Sequence, residues 1–292
     1  MVLLLDGRRL TASALAAFAL VVLAVCAVGN YGYALNDLYD IEEDERAGRA
    51  NAAVAAGARR MWIVIALSAL CAAVAAWIAA GTIGAFVTAA ELVLPATYSM
   101  PPLRTKERIW LGVASDALAA HVYPAILALL AVSHWSLRPI PALLAWSVVV
   151  WSLAAGLRGI LSHQLQTAER DARAGLATIV HAVGALPLER FIVLVLLPLE
   201  VAGIAGALII CAAGPLLWIG CALYVAYEGY KTLRGPFRIV AFRPQGQRYV
   251  PFAEESFYKA WGPIAIALDA ARADPWYLLA IPAFAVLFRP NL

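Results

Sequence analysis

The amino-acid sequence predicts an all-α protein that crosses a membrane several times, and three observations support this fold class. Of the 292 residues, 63% are hydrophobic and only 14% are charged. Several apolar runs are long enough to span a hydrocarbon core, and they lack the alternating pattern of barrel strands. In addition, 18 of the 22 Lys and Arg residues fall in segments on one side of these runs. Such a bias predicts that this side faces the cytoplasm.

Eight apolar segments are predicted to be membrane spans, and a ninth candidate, at residues 257–271, is short. The eight lie near residues 11–35, 62–80, 83–99, 110–131, 139–161, 189–212, 215–233 and 274–289. We therefore predict a single domain over residues 1–292, built as a bundle of eight or nine transmembrane helices. Residues 235–259 are richer in charges, Pro and Gly, which predicts a polar cytoplasmic loop.

The composition and the motifs also exclude some classes of function. No segment resembles a nucleic-acid-binding motif, so no nucleic-acid partner is expected. The apolar runs instead predict that membrane lipids surround the protein. The cysteines lie in or beside apolar runs without CxxC spacing and are interpreted as small apolar residues. They are Cys26, Cys71, Cys211 and Cys221. The expected location is the inner (plasma) membrane of a bacterium.

Two polar segments of the sequence are copies of one another. Residues 36–48 align without a gap on residues 163–175, with identical Leu, Glu, Asp, Arg, Ala and Gly residues at matching positions. Each segment follows an apolar run that is predicted to be a helix. A repeated polar helix end predicts that both segments contribute to one site.

The first polar segment, called the first arm below, carries the residues with the clearest chemistry. Asn36, Asp37, Asp40 and Asp44 have spacings that place them on one face if the preceding helix continues. Carboxylates on one face repel each other unless a cation neutralises them, and Mg²⁺ prefers a few carboxylate oxygens together with phosphate oxygens and water. This pattern predicts metal-assisted binding of a diphosphate. By contrast, Glu43 and Glu45 are interpreted as solvated loop acids.

The second arm, residues 163–175, is chemically weaker. At equivalent spacings it offers His163, Gln164, Thr167 and Asp171. Asp171 is the metal candidate, while His163 could ligate a metal, hydrogen-bond a phosphate or cap the helix end. Gln164 and Arg158, which lies just before this arm, are further candidates for contact with a phosphate.

A basic loop lies between the two arms. Pro101 and Pro102 end the preceding span, and Arg104, Lys106 and Arg108 follow. These cations suit a diphosphate leaving group. Arg108 is equally well explained as a cytoplasmic membrane anchor.

Taken in order, these motifs resemble the UbiA-type intramembrane prenyltransferase superfamily over roughly residues 10–235. The resemblance implies a central cavity open to the cytoplasm, an isoprenyl diphosphate substrate and Mg²⁺. It matches Asn36, Asp37, Asp40 and Asp44 to the first Mg²⁺-diphosphate motif, Arg104 and Lys106 to the diphosphate-holding loop, and Tyr98 to a tyrosine near the reacting centre. Asp171 matches the second motif, but Thr167 replaces a second aspartate of that motif.

The predicted function is Mg²⁺-dependent transfer of an isoprenyl group to an acceptor whose identity the sequence leaves open. Asp37, Asp40, Tyr98 and Asp171 are the predicted catalytic residues. A terpene cyclase that ionises the same diphosphate is one alternative, and a catalytically degraded prenyl-lipid-binding homologue is another. Acidic residues also occur in or beside the spans, where a charge needs a partner, water or protonation. They are Glu91, Asp116, Glu200 and Glu228.

Overall fold

The computed structural model describes residues 11–46, 48–173, 178–233 and 256–287, and the regular elements within these ranges are helices. The first half contains α1 (Ala12–Tyr39), α2 (Ile41–Arg46), α3 (Ala52–Ala56), α4 (Ala58–Ser99), a short 3-10 turn (Thr105–Glu107) and α5 (Ile109–Ser136). The second half contains α6 (Ala142–Arg173), α7 (Ile179–Val183), α8 (Ala185–Ile210), α9 (Pro215–Thr232), α10 (residues 257–270) and α11 (Ala280–Leu287, preceded by the 3-10 turn Pro275–Leu279).

The all-helical membrane fold that the sequence predicts is confirmed. Within the described ranges, five helices are long and apolar enough to cross a membrane, namely α1, α4, α5, α6 and α8. Each predicted apolar segment coincides with helical structure, including the short candidate at 257–271. The number of crossings, eight or nine, stays a prediction.

The loop predicted at residues 235–259 lies mostly outside the described residues. Its last residues overlap the apolar segment predicted at 257–271, and there the π-helical turn Phe257–Trp261 opens α10. This turn runs directly into the helix Gly262–Ala270. The aromatic side chains of the turn pack together, with Tyr224 of α9 lying 5.1 Å from Phe257 between ring centroids. Aromatic packing therefore extends the helix into a segment whose polar neighbours suggested a loop.

Helix α4 contains two predicted spans, and it reverses direction between them. A straight helix of 42 residues would be about 63 Å long, roughly twice the thickness of a hydrocarbon core. The helical geometry breaks at Ala80 and Gly81, and Gly81 has a φ of +66°. A Cβ at Gly84 would lie 2.6 Å from the carbonyl oxygen of Ala76, a closeness that a straight helix forbids. Trp135 donates its indole N–H to the Ala79 carbonyl at 2.8 Å and so satisfies a helix end at this reversal.

Small residues allow the helices of the first half to pack closely. One buried cluster joins α1, the part of α4 before Gly81, and α5, and it consists largely of alanine. Val87 and Leu92 from the later part of α4 pack against it. Its members include Ala24, Ala27, Ala72, Ala75, Ala76, Tyr123 and Leu127. Alanine at such contacts lets the backbones approach, which suits packing between helices in lipid.

In the second half of the chain, α6 packs closely against α8 at Gly203. A Cβ at Gly203 would lie 2.6 Å from the backbone nitrogen of Trp151, so only glycine fits there without displacement. The outer surface of the bundle is strongly apolar, with Phe86 75% and Leu194 70% exposed. Such a surface suits contact with lipid chains. The fold therefore leaves the polar ends of α1, α4 and α6 as the places where chemistry can be assembled.

Candidate active site

The first arm keeps its helical spacing through the end of α1. The Asp40 N–H donates to the Asn36 carbonyl at 2.9 Å, and the Asp44 N–H donates to the Asp40 carbonyl at 2.8 Å. These bonds carry the turn from α1 into α2, with Asp40 between the two helices. The backbone therefore repeats at the four-residue interval that the motif predicts.

Asp40 is the centre of an ion-pair cluster that joins the first arm to the basic loop. Its side chain is only 8% exposed and contacts the Lys106 ammonium group. The Arg104 guanidinium lies 3.3 Å from the same carboxylate oxygen. A buried carboxylate needs such partners, because an isolated charge is costly away from water. The structure therefore brings together three residues that the sequence assigned to one diphosphate site.

The backbone of Arg104 has an unusual conformation. With φ of 32° and ψ of 61°, it lies in the left-handed region, which costs a residue with a Cβ about 1–2 kcal/mol. Glycine would occupy this position at lower cost. The guanidinium group forms ion pairs with Asp40 and, at 2.6 Å, with Glu107, and it also donates to the Tyr39 carbonyl.

Glu43 belongs to the same cluster, which corrects its interpretation as a solvated loop acid. One of its carboxylate oxygens lies 3.6 Å from both Arg104 and Lys106. The other lies 3.8 Å from Arg49. The sequence held one signal for this role, because Glu43 follows Asp40 by three residues and so lies near the same helix face.

Asp44 and Asp37 are linked through the side chain of Asn51. The amide nitrogen of Asn51 donates to the Asp44 carboxylate at 2.9 Å and to the backbone carbonyl of Asp37 at 2.8 Å. Its amide oxygen accepts from the first backbone N–H groups of α3 and so caps that helix. Arg49 also lies 3.2 Å from the Asp44 carboxylate. Asp44 therefore anchors the segment after α2, and metal binding by Asp37 and Asp44 stays a prediction.

A cavity of roughly 390 Å³ opens beside this cluster. It lies between α1, α5 and the part of α4 that follows Gly81. Its lining includes Asn36 and Tyr98, two of the predicted site residues, and the Ser99 hydroxyl donates to the Asn36 side chain at 3.4 Å. Tyr98 directly precedes Ser99, the last residue of α4, and lies six residues before Arg104 of the basic loop. The tyrosine therefore lies between the charged cluster and the apolar part of the cavity.

The second arm continues α6 as a helix, and its side chains have local partners. Thr167 donates its hydroxyl to the His163 carbonyl at 3.1 Å, and the Gln164 side chain accepts from the Ile179 N–H at 3.2 Å. His163 is exposed. The side chain of Asp171 lies outside the described part of the structure. Roles for His163, Gln164 and Asp171 at the diphosphate stay predictions.

Arg158 lies inside the bundle, where it pairs with Glu200 of α8. Its side chain is 2% exposed, and its Nε and Nη2 donate to the two carboxylate oxygens of Glu200 at 2.6 and 3.0 Å. Tyr258 donates to Glu200 as well, and it accepts from the Trp151 indole at 2.8 Å. This arrangement favours a structural role, and diphosphate binding by Arg158 stays a prediction.

The chemistry of the first arm fits Mg²⁺ only together with a substrate. In the part of the chain that the structure describes, no three His, Cys, Asp or Glu side chains come close enough to form a metal site on their own. In enzymes that act on phosphate-containing substrates, Mg²⁺ is bound by one or two carboxylates, with phosphate oxygens and water as its other ligands. Asp40, with Asn36 one turn earlier, supplies oxygen ligands of that type. The donor set therefore fits a magnesium diphosphate.

These features define an integral membrane protein with a charged site at the mouth of an intramembrane cavity. The model of the UbiA prenyltransferase family matches residues 6–236, which include both arms, the basic loop and α1 to α9. The chain therefore belongs to the UbiA prenyltransferase family, as the motifs predicted. No curated protein and no solved structure matches the chain.

Proposed function

We propose that this protein transfers an isoprenyl group from an isoprenyl diphosphate to an acceptor inside the membrane, with Mg²⁺ as its metal. The observation that carries the proposal is the contact of Asp40 with Arg104 and Lys106 beside a cavity lined by Asn36 and Tyr98. It joins an acidic metal-type motif, a pair of cations and an apolar chamber at one place. A diphosphate with a long hydrocarbon chain has matching chemistry at both of its ends.

The charged groups explain how the bond to the diphosphate would break. Arg104 and Lys106 would pair with phosphate oxygens as negative charge builds on the leaving group. Asn36, Asp37, Asp40 and Asp44 are the proposed ligands of the metal, with Asp171 contributing from the second arm. Bound Mg²⁺ supplies further stabilisation of that negative charge.

The cavity suits the hydrocarbon chain of the isoprenyl diphosphate. Most of its lining is apolar, and three tyrosines, Tyr33, Tyr98 and Tyr123, contribute to it. The faces of aromatic rings attract cations, so they suit the allylic cation that forms when the diphosphate leaves. We propose Tyr98 for this role because it lines the cavity next to Ser99, whose hydroxyl contacts the Asn36 side chain of the first arm.

The orientation of the site is also part of the proposal. The clustered Lys and Arg residues lie in the segments that carry the first arm and the basic loop. We propose that this end faces the cytoplasm of a bacterial inner membrane, in agreement with the positive-inside bias. Isoprenyl diphosphates would then enter from the side where soluble diphosphates are found.

The test is diphosphate release by the purified protein in detergent, with geranyl, farnesyl and geranylgeranyl diphosphates and with or without Mg²⁺. Asp40→Asn removes the central charge, and Glu45→Gln is the matched control because Glu45 is an exposed acid of α2, the short helix that follows Asp40. We expect Mg²⁺-dependent release that the control retains and Asp40→Asn lowers by roughly 10²-fold or more.

Product analysis separates the possible outcomes. A prenylated acceptor supports the transferase, whereas a hydrocarbon or alcohol formed without acceptor would replace it with a cyclase. Because release can depend on the acceptor, the assay is repeated with a panel of phenolic, quinol and sugar acceptors. Absence of release under all these conditions, with a folded protein, contradicts the proposal.

A further inference from the structure

The cavity beside the first arm contains two carboxyl groups that the proposed diphosphate chemistry does not use. Glu91 of α4 and Asp116 of α5 both line it, together with Tyr98 and Ser115. At about 1.5 Å per residue, Glu91 lies about 12 Å along the helix from the end of α4 at Ser99. Glu91 therefore lies well inside the bundle, beyond the charged mouth.

Glu91 is buried without a hydrogen-bond partner for one of its oxygens. The residue is 5% exposed, and its Oε1 has no hydrogen-bond partner among the residues that the structure describes. A buried polar group in this situation is costly unless a ligand or water satisfies it. The free oxygen is thus an indication that something binds next to it.

The neighbouring tyrosine does not supply the missing hydrogen. Thr88 donates its hydroxyl to the Gly84 carbonyl at 2.8 Å, so its only hydroxyl proton is used. The 3.1 Å contact between Thr88 and Tyr123 must then be donated by the Tyr123 hydroxyl. Both protons are committed to other oxygens, which leaves the Glu91 carboxyl dependent on a donor from outside this network.

The charge of the lining distinguishes the interior from the mouth. The cations that suit the diphosphate, Arg104 and Lys106, lie at the first arm. The cavity lining contains Glu91 and Asp116 but no Lys, Arg or His within the described ranges. A buried anion would therefore find no cation in this lining to neutralise it, which is unfavourable in a low-dielectric site.

We infer that this cavity takes an acceptor that bears hydroxyl or amino groups and no carboxylate or phosphate. Glu91 and Asp116 accept hydrogen bonds from these groups and hold the acceptor in the path of the isoprenyl chain. The inference rests on the proposed function only in naming the ligand an acceptor. The separation of cations at the mouth from acids inside also keeps the diphosphate of the donor at the mouth.

The test uses three probes that share a phenol ring and differ in one substituent: 4-hydroxybenzyl alcohol, 4-hydroxybenzylamine and 4-hydroxybenzoate. Their binding to the full chain in detergent is measured without donor by ligand-observed NMR titration. We expect the alcohol and the amine to bind at least about tenfold more tightly than the carboxylate. Glu91→Gln and Asp116→Asn should each reduce this preference by about threefold or more, whereas Glu45→Gln should leave it unchanged.

Size-exclusion profiles and unfolding temperatures show whether each variant remains folded, and the isosteric amides are chosen to keep the packing. Equal or tighter binding of the carboxylate by the native chain overturns the inference. So does failure of all three probes to bind, or a preference that neither amide variant changes.

Diphosphate release from farnesyl diphosphate is measured on the same samples. Release without the binding preference contradicts the acceptor class alone. The binding preference without release, across the full acceptor panel, contradicts the proposed transferase alone.

Discussion

Loss of the carboxylate from the buried Arg158–Glu200 pair is expected to destabilise the protein strongly. Glu200→Gln keeps the shape of the side chain but leaves the 2%-exposed guanidinium without the carboxylate that accepts two of its hydrogen bonds. Removal of one partner of a buried ion pair costs about 3–5 kcal/mol. Arg158→Met is expected to lower the free energy of unfolding by a similar amount. It removes the cation beside the Glu200 carboxylate, which keeps the hydrogen bond from the Tyr258 hydroxyl.

The double variant distinguishes the pair from two independent residues. With both charges removed, no uncompensated charge remains, so the double variant should be no less stable than either single variant. The resulting coupling energy is expected to be roughly 3 kcal/mol. Free energies of unfolding in mixed detergent micelles measure all three, with Glu45→Gln as the exposed control. Additive costs in the double variant would refute the reasoning.

The same variants decide between the structural role of Arg158 and its predicted role at the diphosphate. If the pair only stabilises the bundle, the KM of folded protein for farnesyl diphosphate should change by less than about threefold in every variant. If the guanidinium binds the substrate, Arg158→Met should raise that KM by about tenfold or more. The buried position of the pair leads us to expect the first result.

Three further predictions concern the basic loop, a helix contact and a cap. Lys106→Met should lower kcat/KM for the diphosphate substrate by roughly 10²–10³-fold in a release assay. Lys106→Arg should retain more activity because it keeps the charge. Equal activity of the Met variant and the native chain would contradict this prediction. Gly203→Ala should lower the free energy of unfolding by about 1–3 kcal/mol, because its Cβ would lie 2.6 Å from a backbone nitrogen of α6. Gly229→Ala, where a Cβ meets nothing within 4 Å, is the matched control, and an equal effect of both would argue against close packing. Asn51→Ala should cost about 1–3 kcal/mol in thermal unfolding, because it removes the cap of α3 and the bridge to the first arm.

The helices and the order of the motifs could be predicted from the sequence, because both depend on neighbours along the chain. Apolar runs predicted the long helices but not the short helices α2, α3 and α7, and the boundary predicted near residues 80–83 coincides with the break at Gly81. The motifs also predict that Asp40, Arg104 and Lys106 belong to one site. The structure then places these three side chains together.

For two residues, the surroundings in the structure differ from those predicted from the sequence. In each case the partner that makes the difference lies far away in the chain. Glu43 looked like a loop acid until the fold placed it against Arg104 and Lys106. Arg158 looked like a residue at the mouth of the second arm, but Glu200 on another helix holds it inside the bundle. Local spacing placed Glu43 near the helix face of Asp40, but it did not identify the distant partners of Glu43 or Arg158.

The sequence by itself determined the membrane setting, the helical segments and the family, because hydrophobic length and short motifs are properties of contiguous residues. Only the tertiary structure decided which charges neutralise one another and which buried acids face the cavity. The physical reason is that a charge in a low-dielectric bundle is stabilised by the partners that packing brings to it, and packing joins residues that lie far apart in the chain.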